Sequence, residues 1–178
     1  MTSTAFRSTR PAVGEFLPYY GTYIDEVPEG DIVETMRRQL PETLALIRSI
    51  PEADGDKRYA PDKWSIREVI GHVIDGERIF TYRALRFARA DSTPVPGFDE
   101  NEYVKNAPFS TVTLANLADE FDHVRRASVH FFSNLSEEAL SRRGTANGAE
   151  ISVRALAFIL AGHETHHANV LRTRYLNA

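Results

Sequence analysis

The chain contains no cysteine, which removes disulfides, thiolate metal ligands, iron–sulfur clusters and cysteine nucleophiles together. Any metal must therefore be held by histidine, aspartate or glutamate. Long hydrophobic runs are also missing: the longest nearly apolar stretch, Ala155 to Gly162, falls far short of the roughly 20 residues needed to cross a bilayer. Met1 to Arg10 is rich in Ser and Thr with no apolar run, so it does not read as a secretory signal. Nor is there an excess of positive charge. Against 25 Asp and Glu stand 21 Lys and Arg, a net charge of −4, which gives no general attraction to nucleic acid or anionic lipid. A cytoplasmic protein is expected, with neither nucleic acid nor a membrane as partner. Repeats, low-complexity tracts and blocks of like charge are absent as well.

What is present reads as one helical domain. With 178 residues, 20.0 kDa and 42% hydrophobic residues, the chain can bury a single core. Pro11 to Gly30 mixes Pro18, Gly21 and Pro28 with Phe16, Tyr19, Tyr20, Tyr23 and Ile24. Residues 1–30 are therefore expected to form an extended N-terminal arm laid on the remainder. From Asp31 apolar residues recur at helical spacing (Ile32, Met36, Leu40, Leu44, Ile47), although Pro41 is expected to bend or interrupt that helix. Ser65 and Glu68 form a capping box and Trp64 can staple onto Val69, so a second helix begins at Ser65. Ile66, Val69, Ile70, Val73, Phe80 and Phe87 carry its buried stripe to about Arg89. A loop with Pro94, Pro96, Gly97 and Pro108 follows over Asp91 to Ser110. Leu114, Leu117, Phe121, Val124, Ser128, Phe131 and Leu135 mark a third helix, Gly144 to Gly148 a break, and a fourth helix runs from about Ser152 to Leu176. Four long helical patterns and no convincing period-two strand predict an all-α fold: an antiparallel four-helix bundle over residues 31–178, with long connections.

The main anomaly lies on the fourth helix. Its stripe Val153, Leu156, Leu160 continues at the same spacing into His163, His167 and Val170, so two imidazoles occupy core-facing positions. Residues four apart stack on one helix face with Cβ atoms roughly 5–6 Å apart, and two neutral imidazoles so placed can share a metal at about 2.0–2.1 Å per bond. On the second helix His72 sits beside Val73 at the edge of the buried stripe. Any one of these histidines alone is more often a hydrogen-bonded core or surface residue. Three together on two core-facing stripes, in a chain without cysteine, point to metal binding. His166 competes with His167, because three apart is also a neighbouring position, but His167 continues the stripe. His123 and His130 flank the third helix's stripe and read as solvated.

Two familiar metal patterns fit poorly. His163-Glu164-Thr165-His166-His167 matches the metalloprotease string in which two histidines bind zinc and the glutamate is a general base. The longer form wants Gly and a third His downstream, where Val170 and Thr173 stand. A carboxylate-bridged di-iron bundle needs Glu-x-x-His on two helices; Glu164 to His167 supplies one copy, but Glu68 and His72 are four apart.

Trp64-Ser65-Ile66-Arg67-Glu68-Val69-Ile70-Gly71-His72-Val73-Ile74-Asp75-Gly76-Glu77-Arg78, the loop Pro96-Gly97-Phe98-Asp99-Glu100, and Ala161-Gly162-His163-Glu164-Thr165-His166-His167 together resemble the DinB-like superfamily. The resemblance runs from about Asp31 to Leu176. It implies a four-helix bundle, often dimeric, so a homodimer is expected. It also implies a divalent metal held by His72, His163 and His167. Relatives include transferases that use low-molecular-weight thiols such as bacillithiol and mycothiol and a thiol-dependent maleylpyruvate isomerase; others are called hydrolases by analogy. The resemblance implies a metal-dependent transferase joining a small thiol co-substrate to a small electrophilic substrate. A metal-dependent hydrolase and a non-catalytic metal-binding dimer are the alternatives.

Three imidazoles leave a metal its charge and open positions, the arrangement of a catalytic site; zinc, nickel, iron or copper would all suit such ligands. Asp75, one turn from His72, and Glu164, beside a ligand, are the candidate catalytic helpers, the plain alternative for each being a salt-bridged helix residue. Arg83 is a core-facing charge that could bind a substrate carboxylate or form an internal salt bridge. The Pro96 to Tyr103 loop is a candidate lid, with Phe98 or Tyr103 lining the pocket.

Overall fold

A computed structural model describes residues 6–176. Among them, four long helices form the bundle: α2 (Ile32–Ser49), α3 (Ile66–Ala88), α5 (Leu114–Ser133) and α7 (Val153–Val170). Each begins on a side chain that accepts otherwise unpaired backbone N–H groups. Asp31 caps α2, Thr113 caps α5 and Ser152 caps α7, while Ser65 and Glu68 close a reciprocal capping box on α3. Trp64 packs against the apolar cluster that contains Val69. Helix α2 runs through Pro41 without a break. Pro41 and Arg37 are both exposed, so the carbonyl that loses its partner faces water.

The helices are not uniformly antiparallel. Helix α3 runs against α7, since His72 meets His163 while Phe87 lies near Gly144, just ahead of α7. Helix α2 runs against α5, with Gln39 facing Arg125 and Arg48 facing Asp119. But α3 and α5 advance together, Glu77 meeting Arg125 and Thr81 meeting Ser128, and α2 advances with α7. This arrangement requires a connection from α3 to α5 that returns the length of the bundle. Residues 89–113 provide it, and they are more ordered than the expected loop: they contain a short helix, α4 (Glu100–Asn106), capped by Asp99, and a 3-10 turn at Phe109–Thr111.

Two other expectations need correction. The described part of the N-terminal arm is folded rather than extended: a 3-10 turn at Pro18–Tyr20 leads into helix α1 (Gly21–Asp25), which buries Ile24 and, just beyond, Val27 against the bundle. Its aromatics Phe16, Tyr20 and Tyr23 pack against the apolar core. Glu15 reinforces the docking by accepting from the Ser152 hydroxyl at 2.7 Å and pairing with Arg154. The predicted break at Gly144 to Gly148 is a β-hairpin preceded by a short helix, α6 (Glu137–Ser141), with β1 (Arg143–Ala146) antiparallel to β2 (Ala149–Ser152). Asn147 and Gly148, at φ 51 and 76, form the two-residue turn, whose left-handed backbone conformation matches the right-handed twist of the flanking strands. That Asn-Gly pair was the available signal. Among the described residues, no helix is long and apolar enough to cross a membrane.

The apolar core divides into two clusters. One contains Val33, Met36, Phe80, Phe87, Phe132 and the first half of α7; the other contains Leu40, Leu44, Ile70, Ile74, Leu117 and Phe121. The boundary is polar. Arg125, fully buried, lies between Glu77 at 2.8 Å and Glu164 at 2.6 Å. All three stand at core-facing positions of α3, α5 and α7. Burial alone would lower the arginine's pKa, but the two carboxylates outweigh it and hold the guanidinium charged.

Candidate metal centre

Immediately beside this polar layer, α3 and α7 present three imidazoles to one point. The potential ligand atoms of His72, His163 and His167 all lie within 4.8 Å of one another. His72 Nε2 and His163 Nε2 are 2.9 Å apart, and the ring centroids of His163 and His167 are 4.5 Å apart. The close approach of α3 and α7 depends on Gly76, which packs against the His163 ring. Trp64 stands over His72 with centroids 4.7 Å apart, and Tyr23 of α1 meets His163 edge-on at 5.3 Å.

The environment holds these rings neutral. Burial lowers the His72 pKa from 6.5 to about 4 and that of His167 to about 3. His163 is pushed well below its ordinary value, first by burial and then by repulsion from the neighbouring histidines. Neutral imidazole is the metal-ligating form. His167 Nδ1 is buried without a hydrogen-bond partner, an expensive arrangement for a polar atom. Three neutral nitrogen donors in a cluster close to the span of two metal–nitrogen bonds of about 2.0–2.1 Å fit a divalent ion.

The rings line a cavity of about 530 Å³ walled by Tyr20, Tyr23, Trp64, Phe80 and Phe98, with Arg83 and Glu100 as its charged residues. Phe98 thus reaches the cavity; Tyr103 does not, packing instead on Phe98 at 5.2 Å over a neighbouring groove. His166 turns to Glu26 at 3.2 Å, and His123 and His130 are exposed.

The two candidate helpers are placed elsewhere. Glu164 is fully buried with its carboxylate on Arg125, because its helical position points it into the polar layer rather than the cavity; burial raises its pKa against the pull of that arginine. Asp75 does not line the cavity either. It is half-buried 3.8 Å from Arg78, and its pKa is raised mainly by burial. Sequence reasoning missed the aromatic walls from α1 and Trp64. It also missed the partners of Glu164, although Arg125 falls between Phe121 and Ser128 on the buried stripe, and Glu77 between Val73 and Phe80.

The family model described as DinB superfamily matches residues 35–171. The chain belongs to the DinB superfamily. A curated relative from Oceanobacillus iheyensis, named "Putative metal-dependent hydrolase OB0413", is 29% identical over 138 residues, covering 76% of each chain. Among solved structures, YfiT from Bacillus subtilis superposes with a TM-score of 0.67 over 97% of this chain and 96% of its own, at 14% identity. Its structure is described as that of "a probable metal-dependent hydrolase with an unusual four-helix bundle topology". At that identity the likeness establishes the shared fold.

Proposed function

We propose that this DinB-superfamily protein is a metal-dependent enzyme that joins a low-molecular-weight thiol to a small electrophilic substrate, its divalent ion held by His72, His163 and His167. One observation carries the reading: three neutral imidazoles converge on a largely aromatic cavity whose single lining carboxylate among the described residues is the exposed Glu100. His72, His163 and His167 would hold a divalent ion with open positions, and that ion would supply acidification of a thiol or water and polarisation of a substrate oxygen. The chain supplies the surroundings. Burial keeps the three rings unprotonated, Gly76 leaves room for His163 beside α3, and Trp64, Tyr23 and Phe80 restrict water and offer an apolar surface to the substrate.

The nucleophile is a thiol rather than water because of what the cavity lacks. A thiol would need no protein base beside an ion held by these histidines, whereas hydrolysis gains from a side chain placed to move protons between water and leaving group. Glu164, the carboxylate nearest in sequence to the ligands, faces Arg125 instead. The relatives' names favour a second reading, hydrolysis of a small ester or amide.

Zinc-, nickel- or iron-loaded protein incubated with a small thiol and an epoxide tests the proposal. Conjugation is expected to require metal and thiol and to vanish with chelator or in His72→Ala. Turnover of an ester or amide without thiol would establish hydrolysis in its place. Metal binding without either reaction would leave a non-catalytic module, and no metal by elemental analysis would remove every metal-dependent reading.

A further inference from the structure

Four arginines of the described chain are buried, and three of them face carboxylates: Arg125 meets Glu77 and Glu164, Arg154 meets Glu15, and Arg67 meets Glu52 and Asp56. Arg83 is the exception. It is 3% exposed, yet among the described residues no carboxylate lies within ion-pair distance of it. One Nη donates to the Pro96 carbonyl at 3.1 Å, the guanidinium also hydrogen-bonds the neutral Tyr20 side chain, its carbon stands 5.8 Å from the centre of the Phe98 ring, and Nε is buried with no partner. A guanidinium does not escape burial by losing its proton, so a buried arginine whose partners are all neutral carries a standing cost that an anion would relieve. Arg83 lines the same cavity as the three histidines and, among the described residues, is the single cation on its wall.

We propose that Arg83 receives a carboxylate of the substrate, so that this cavity takes a small organic monoanion whose apolar body lies along the aromatic walls. The planar fork of a guanidinium matches a carboxylate, with Nε free to contribute one of the two donors. A lone cation suits a single negative charge better than a doubly charged phosphate. The direction of the reactive end, toward the histidines, rests on the function proposed above; the anion site itself does not.

The experiment therefore uses metal-free protein. Trp64, the chain's one tryptophan, lines the cavity and reports occupancy by fluorescence. Benzoate is expected to bind about tenfold more tightly than its neutral analogue benzamide, the worth of one charge-assisted hydrogen bond. Arg83→Met is expected to erase the preference and Arg83→Lys to retain part of it. Equal affinity for the two probes in the unaltered protein, a preference that survives in Arg83→Met, or tighter binding of inorganic phosphate than of benzoate would overturn the proposal. Should Arg83→Met fail to fold by circular dichroism, the unaltered protein and Arg83→Lys decide. Missing metal-dependent turnover alongside an intact benzoate preference would refute the proposed reaction and leave the anion site standing.

Discussion

Replacing Gly76 with alanine separates stability from metal binding. A Cβ at this position would lie 2.9 Å from Cε1 of His163 and 3.3 Å from its Nδ1. Carbon atoms settle at about 3.5–4.0 Å, so the ring or the helix must yield by roughly half an ångström or more. Metal–ligand distances hold to within about 0.2 Å, and a displacement of that size takes His163 out of register with its two neighbours. Stability feels two opposed effects. Alanine in a helix interior gains about 1 kcal/mol over glycine, and crowding a packed core costs about 1–3 kcal/mol. The metal-free protein should therefore lose no more than about 2 kcal/mol by urea unfolding. Zinc affinity, measured by calorimetric titration into the same chelator-treated samples, should fall at least about tenfold, or 1.4 kcal/mol. Undiminished zinc affinity would refute the placement of His163 in the ligand set.

Arg125→Met strands two carboxylates in the core and should cost about 3–5 kcal/mol in denaturant unfolding at neutral pH; a loss below about 1 kcal/mol would contradict a charged Glu77–Arg125–Glu164 layer. Gly162→Ala would drive a Cβ to 1.9 Å from the Tyr23 carbonyl oxygen, so α1 should be displaced and limited proteolysis should cut the N-terminal segment faster; an unchanged digestion pattern would argue against that docking. The metal-free protein should lose stability in mild acid. His72 and His167 have folded pKa values of about 4 and 3 against 6.5 for the ordinary group. The unfolded chain therefore takes up protons below about pH 6.5 while the folded chain does not. Stability is full above about pH 7 and declines toward pH 4, by roughly 2 kcal/mol per histidine between pH 7 and 5. Melting curves should show the decline, and His72→Gln should flatten it; a slope unaltered by that substitution would mean that other groups set it.

The long helices were legible because their signals are local. The Ser65–Glu68 box lies within one turn, and the stripes of α3, α5 and α7 recur at the helical period. Legible for the same reason was the stacking of His163 over His167. The hairpin was hidden because its strands are only four residues long, too short to display alternation, and because its Asn-Gly turn reads equally well as a break between helices.

By itself, then, the sequence determined the helical bundle, the absence of any cysteine ligand or nucleophile in the chain and a pair of imidazoles four residues apart on a core-facing stripe. The meeting of His72 with that pair depends on α3 running against α7 at the close distance that Gly76 permits. Which acid serves which purpose was likewise decided only in three dimensions. Spacing along one helix cannot say what a side chain faces on another. Glu164, adjacent to a histidine in the chain, turns to an arginine on α5, while Arg83, with no carboxylate within ion-pair distance among the described residues, opens onto the cavity.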